Sequence, residues 1–324
     1  MNRQLLEKYQ VFIYLAAIGC GLMVGAAMPD RIEILEIVLW PILGVLLYTI
    51  FIQVPLVRVG KAFSDFRFMM AAVIGNFVLL PLVVWGLMAV VPDDPGVRLG
   101  VLLVLLMPCT DWFISFTHLG GGDTRRAIAF SPVSLLLQII LLPVYVWMFF
   151  GPDFMVGLAQ REMFAAFVGL IIVPLLAAVI TEAWFKNSPA RAGLPARLAW
   201  FPVPLLAVVV FSIAATQVGV VLDSIGLLGH LLLVFAAFLV IAALLALVLA
   251  RPLGLPASQG RALAFSFGTR NSFVVLPMAL ALPASFELAV IAVVFQSLVE
   301  LFGMAVYLWW VPRRLFPQPR EHPV

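Results

Sequence analysis

Charged residues are scarce. Asp, Glu, Lys and Arg together make up 11% of 324 residues, where soluble domains carry about a quarter. Beside 64% hydrophobic residues, that shortage excludes a water-soluble globule. The same composition excludes a nucleic-acid binder despite the net charge of +3. Cysteine and histidine are rarer still, with two and three copies. Cys20 and Cys109 both lie deep in apolar runs, so no structural disulfide is expected and no metal-ligand cluster can be assembled. Period-two alternation, the mark of a membrane β-barrel strand over about ten residues, is missing too. Residues 101–107 and 231–238 are instead apolar on every side, and only helices satisfy their own backbone in lipid at that composition. A phosphate loop is also lacking. Gly120-Gly-Gly-Asp123 has no following lysine and no preceding strand, and is expected to end a helix and free a hinge.

What is present is apolar length, enough for about ten spans of roughly 20 residues each. Polar or Pro/Gly-rich breaks place them at 10–28, 34–54, 68–91, 99–119, 128–150, 163–185, 199–221, 225–250, 260–282 and 286–311. No A-x-A-type site closes the first run, so it is kept as a helix and not a signal peptide. With ten spans, fifteen Lys and Arg fall on the side of the termini and three, Arg31, Arg98 and Arg161, on the other. The positive-inside rule then puts both termini in the cytoplasm, with the chain in the plasma (inner) membrane.

The ten spans divide into two sets of five, 10–150 and 163–311, within a single membrane domain ending in a tail at 312–324. The fourth span is interrupted at Met107-Pro-Cys-Thr-Asp111 and the ninth at Gly268-Thr-Arg-Asn-Ser272. The second helix of each set carries an early proline and a later glutamine: Pro41 and Gln53, then Pro202 or Pro204 and Gln217. Five-helix halves of opposite topology, each with a broken fourth helix, predict an all-α inverted-repeat secondary transporter whose breaks cross at the midplane. With no ATPase domain, transport must run on an ion gradient or the membrane potential. The competing reading is that prolines and polar residues only kink ordinary spans.

Three ionisable residues fall deep in the membrane: Asp111, Arg270 and Glu300. Such residues mark a pathway or a pair. Asp111 and Arg270 sit at the two breaks and are predicted to pair there, in a structural or a transport role. Glu300 has no second deep cation to neutralise it, and Gln296 lies one turn earlier on the same face. That suits a group that takes and releases protons; the alternative is a protonated acid that only hydrogen-bonds across helices. Cys109 stands inside the first break as a candidate soft ligand. Cys20, next to Gly21, is explained by close helix packing. Asn76, Ser134 and Gln138 are candidates to line a polar cavity or to bond between helices. The deep residues include no histidine and no nucleophile–base pair, so an enzyme is not expected, and no cofactor is implied.

Pro108-Cys-Thr110, the continuation through Gly122-Asp123 into a fifth span, and Gln296-x-x-x-Glu300 together resemble the arsenite-efflux permeases. These belong to the bile acid, arsenite and riboflavin transporter superfamily. The resemblance implies a panel of helices 1, 2, 6 and 7 and a core of helices 3–5 and 8–10, with helices 4 and 9 crossing. It implies exchange of arsenite, and antimonite in some readings, against protons. Cys109, Thr110, Asn271 and Ser272 would then contact the substrate, and Glu300 with Gln296 would couple the proton. The chain departs from the pattern at Asp111-Trp112, where the family has small apolar residues, and at Arg270 in the second break. Those departures keep open a sodium-coupled symporter of an organic anion, of the bile acid or pantoate type, with Arg270 facing the carboxylate. The glutamate and glutamine that characterise the ninth helix of those relatives are not seen here.

Overall fold

A computed structural model describes residues 3–28, 33–54, 65–158, 168–186 and 197–317. Among them the helices are α1 (Arg3–Ala27), α2 (Glu33–Phe51), α3 (Phe66–Ile74), α4 (Leu80–Met88), α5 (Pro95–Leu106), α6 (Trp112–Leu119) and α7 (Thr124–Leu158). They continue as α8 (Val173–Lys186), α9 (Pro202–Thr216), α10 (Val218–Asp223), α11 (Ile225–Ala250), α12 (Ala257–Gly268), α13 (Ser272–Leu280) and α14 (Leu288–Trp310). No strand occurs among the described residues. Arg31, Arg161, the basic residues counted within 55–64 and 187–196, and most of the C-terminal tail lie outside them.

Among the described residues, six segments are long and apolar enough to cross a bilayer: Ile34–Phe51, Phe66–Met88, Thr124–Gly151, Val168–Phe185, Ile225–Ala250 and Ala284–Leu315. The chain is an all-helical, multi-pass membrane protein. Its large apolar side chains also face outward, as Ile37 (72% exposed) and Leu233 (71%) do, which a lipid-facing surface tolerates and a water-facing one rarely carries. The interrupted spans are not among these six because each is split into halves of only 8 to 12 residues.

Local chemistry explains several of these boundaries. Asp94 caps α5 by accepting from the Val97 N–H at 2.9 Å, with Pro95 at the first helical position, where its missing N–H costs nothing. Between α3 and α4 the helix widens to a π turn over Gly75–Leu79. Pro81 follows, and it has no N–H to give the Phe77 carbonyl four residues earlier. The Tyr145 hydroxyl of α7 donates to that carbonyl at 2.7 Å instead, so a proline inside a span leaves no bare backbone group in lipid.

Two packing groups emerge. Helix α1 lies along α9, and α2 packs on α8 and α9. Gly25 permits the first contact, since a Cβ there would overlap the Ala215 backbone. Cys20 does not share in that packing: it is exposed, and the close approach comes from Gly21 and Gly25 beside it. The second group joins α5, α11 and α13 to α14, α11 to α12, and α6 to α7 and α12.

One end of this second group is latched by charge. The Arg126 guanidinium of α7 bonds Asp65 (2.5 and 2.6 Å) and Asp123 (2.5 Å), and the Gln259 amide of α12 donates to Asp65 at 3.1 Å. Asp65 also caps α3 through the Phe68 N–H at 3.2 Å. Burial works to raise the Asp65 carboxyl, but the Phe68 N–H and the Arg126 guanidinium outweigh it and hold it below its ordinary value. The glycine turn beside it is tied down, contrary to the free hinge expected of it. Gly121 takes φ +65° after α6, the Gly122 N–H donates to Thr117 O at 2.7 Å, and the Asp123 N–H donates to Ser258 O at 2.9 Å.

Candidate crossing site of two broken helices

The two interruptions predicted from sequence meet. Helix α5 ends at Leu106 and the chain extends at Met107 (φ −100°, ψ 103°). Helix α12 ends at Gly268 and the chain extends at Thr269 (φ −98°, ψ 136°). The extended segments run antiparallel, bridged between Pro108 and Arg270. The Cys109 N–H donates to Thr269 O at 3.2 Å and the Asn271 N–H to Met107 O at 2.7 Å. Each break therefore satisfies backbone groups that the other exposes, which is why both can persist inside an apolar core.

Side chains reinforce the crossing. The Asn271 amide donates to Thr110 Oγ1 at 3.4 Å, and the Ser131 hydroxyl of α7 donates to the Thr110 carbonyl. Cys109 is buried, and its thiol donates to Asp111 Oδ1 at 3.3 Å. Trp112, the first residue of α6, stacks on Tyr14 of α1 with centroids 6.3 Å apart and meets Phe273 of α13 edge-on at 5.5 Å. One aromatic cluster thus links the crossing to a helix of the first packing group.

Helix α14 lays a polar chain across the second break. The Ser272 hydroxyl donates to Gln296 Oε1 at 2.6 Å, and the Gln296 amide donates to Glu300 Oε2 at 2.8 Å. The same carboxylate oxygen accepts from the Arg270 backbone N–H at 2.8 Å. Ser272, Gln296 and Glu300 are each 2% exposed. The hydrogen bonds of Glu300 thus come from neutral donors, while the Arg270 guanidinium, predicted to be spent on Asp111, is its electrostatic neighbour.

The charges at the two breaks, predicted to pair, take other hydrogen bonds. Asp111 accepts from Cys109. The Arg270 guanidinium donates to Leu105 O (3.2 Å), Ser266 O (2.9 Å), Phe267 O (2.8 Å) and Asn76 Oδ1 (2.9 Å), and its carbon lies 5.3 Å from the Phe238 ring centroid. Asn76, in the π turn, is oriented by donating to Ala72 O and Ser266 Oγ at 3.1 and 3.0 Å.

Asn76 and Ser131 thereby join the site. Asn76 had a sequence signal as a polar residue deep in a span; Ser131 and the three carbonyls had none. Ser131, Ser134 and Gln138 recur at helical spacing on one face of α7. Ser134 Oγ and both amide atoms of Gln138 are buried without a hydrogen-bond partner among the described residues. No group of three or more metal-ligating His, Cys, Asp or Glu side chains occurs among those residues.

Comparison with known proteins adds two findings. A family model described as the Sodium Bile acid symporter family matches residues 40–246, more than half of the chain. That stretch includes Asn76 and the first break and stops before Arg270 and Glu300. An uncharacterized sodium-dependent transporter, YocS, of Bacillus subtilis strain 168 is 24% identical over 243 residues, covering 74% of this chain and 72% of the relative.

Proposed function

The chain belongs to the sodium bile acid symporter family, and from that membership we propose that it is a sodium-coupled symporter of a small organic anion. The observation that carries this reading is Glu300, a buried carboxylate at the crossing whose hydrogen bonds come from the Gln296 amide and the Arg270 N–H. The neighbouring Arg270 guanidinium gives its hydrogen bonds to carbonyls and Asn76, so a buried carboxylate whose own hydrogen bonds come from neutral donors still favours a further cation beside it. A sodium ion entering beside Glu300 would supply it, and would leave again with the substrate.

Several features support the wider scheme. Ten spans in two inverted halves would place each broken helix fourth in its half. The packing of α1, α2, α8 and α9 chiefly on one another fits a panel against which a core rocks. Half-helix N-termini at such breaks favour an anionic substrate, and α6 and α13 both begin at the crossing. The unpartnered polar atoms of Ser134 and Gln138 offer hydrogen bonds to the substrate's polar groups. Both termini in the cytoplasm and a plasma-membrane location complete the proposal.

This reading takes the place of arsenite–proton exchange as the main one, because the family description and the sodium-dependent relative both point to sodium. One observation still favours arsenite as a second reading: the Cys109 thiol sits within the crossing. Purified protein in liposomes, given an inward sodium gradient, tests the proposal. Uptake of a bile acid or a short-chain carboxylate that requires sodium, with choline unable to replace it, is the expected result. Arsenite accumulation driven by protons, with no sodium-driven uptake, would favour the second reading.

A further inference from the structure

We propose that the Arg270 guanidinium occupies a monovalent-cation site and serves there as a tethered cation that never exchanges. The guanidinium's hydrogen bonds run to neutral oxygens, three backbone carbonyls and one amide oxygen, at 2.8–3.2 Å. Leu105 belongs to the last turn of α5, and Ser266 and Phe267 to the last turn of α12. These are the C-terminal, negative ends of the two half-helices, and carbonyls at half-helix ends are where transporters of this architecture hold a coupling ion. Asn76 closes the cage from α3–α4, and Phe238 of α11 covers one face, an arrangement that also favours a cation.

Such a cage is built for positive charge, and the side chain that fills it springs from the break itself. The charge is therefore permanent: this position needs no ion from either side of the membrane. The consequence for coupling rests on the sodium reading above. It leaves the exchangeable sodium to Glu300, so uptake should depend on sodium without cooperativity. The cage itself does not depend on that reading.

Emptying the cage tests the idea. Thermal unfolding of the purified full chain and of Arg270→Ala is followed in choline, sodium and millimolar guanidinium chloride at equal ionic strength. Arg270→Ala is expected to lose stability in choline and to regain it saturably with guanidinium, and with sodium to a lesser degree. The wild type should gain nothing from guanidinium. Adding Asn76→Ala to the variant should weaken the regain at least several-fold. Equal responses of variant and wild type to guanidinium overturn the proposal. So does a variant that stays unfolded in all three salts, because a free cation must be able to refill the cage. A wild type without sodium-driven uptake would sink the symport reading while leaving this difference between variant and wild type intact.

Discussion

Arg270 meets Glu300 through its backbone, the N–H donating to Oε2 at 2.8 Å, while its guanidinium is held by carbonyls at the C-terminal ends of α5 and of α12, the half-helix that leads into it. The arginine is thus an electrostatic neighbour of the carboxylate whose side-chain hydrogen bonds go elsewhere, and the proposed sodium ion would approach the same carboxylate. This division of labour makes the side chain of Glu300 separable from the fold of the break.

Glu300→Gln should keep the hydrogen bond from the Arg270 N–H, because an amide oxygen accepts as a carboxylate does. Folding yield and melting temperature should change little, and sodium-driven uptake should fall at least tenfold. Glu300→Asp, which retracts the charge by one methylene, should retain part of the activity with a raised sodium requirement. Normal uptake by Glu300→Gln would remove this residue from coupling.

Cys109 separates the two transport readings. Its backbone N–H bridges to Thr269, and that contact survives any side-chain replacement. Cys109→Ala should leave sodium-driven anion uptake within about twofold of wild type, since the thiol's hydrogen bond runs to Asp111 and not to Glu300, Gln296 or Ser272. Under the arsenite reading the same variant loses transport altogether.

Tyr145 replaces the donor that Pro81 lacks. Tyr145→Phe leaves the Phe77 carbonyl bare in an apolar setting and should destabilise the protein by about 1–3 kcal/mol. Pro81→Ala restores an N–H at the position that would serve that carbonyl, so the double variant should recover most of the loss. A double-mutant cycle on thermal unfolding measures the coupling. Additive losses would show that the hydroxyl and the proline are unrelated.

The latch at Asp65 has a pH signature. Because its folded carboxyl titrates below the ordinary value, its contribution is complete above about pH 4, the unfolded aspartate range, and disappears as pH falls through the lower folded value. Asp65→Asn keeps the N-cap, because an amide oxygen accepts the Phe68 N–H as well, and removes the charge that faces Arg126; it should lower stability at pH 7 by about 1 kcal/mol. The deficit relative to wild type should shrink below pH 4. A deficit that does not change with pH would mean that the carboxylate charge is not what holds α3, α7 and α12 together.

Much of this site is legible in the sequence. Proline next to polar residues inside an apolar run marks residues 107–111 as an interruption, and Gly268 with four polar followers marks the second. The four-residue spacing of Gln296 and Glu300 puts them on one face, where they do bond. The destination of the Arg270 guanidinium was not legible, because its acceptors are mostly backbone carbonyls of Leu105, Ser266 and Phe267. Every residue has a carbonyl, so composition carries no sign of which ones a fold will gather. Charge complementarity suggested Asp111, but proximity of two breaks does not fix the direction of a long side chain. The cluster of Asp65, Asp123, Arg126 and Gln259 was also missed. Arg126 was counted only as a loop charge for orientation and Asp123 as the end of the glycine run, and the convergence of the four depends on how three helix starts pack.

The most direct test of sodium coupling through Glu300 is radioactive sodium uptake into liposomes, with and without the organic anion, for wild type beside Glu300→Gln. The account predicts that the anion stimulates sodium entry in the wild type, that sodium in turn stimulates anion entry, and that both stimulations vanish in the variant. Anion uptake that proceeds equally in choline, or mutual stimulation that survives Glu300→Gln, would contradict it.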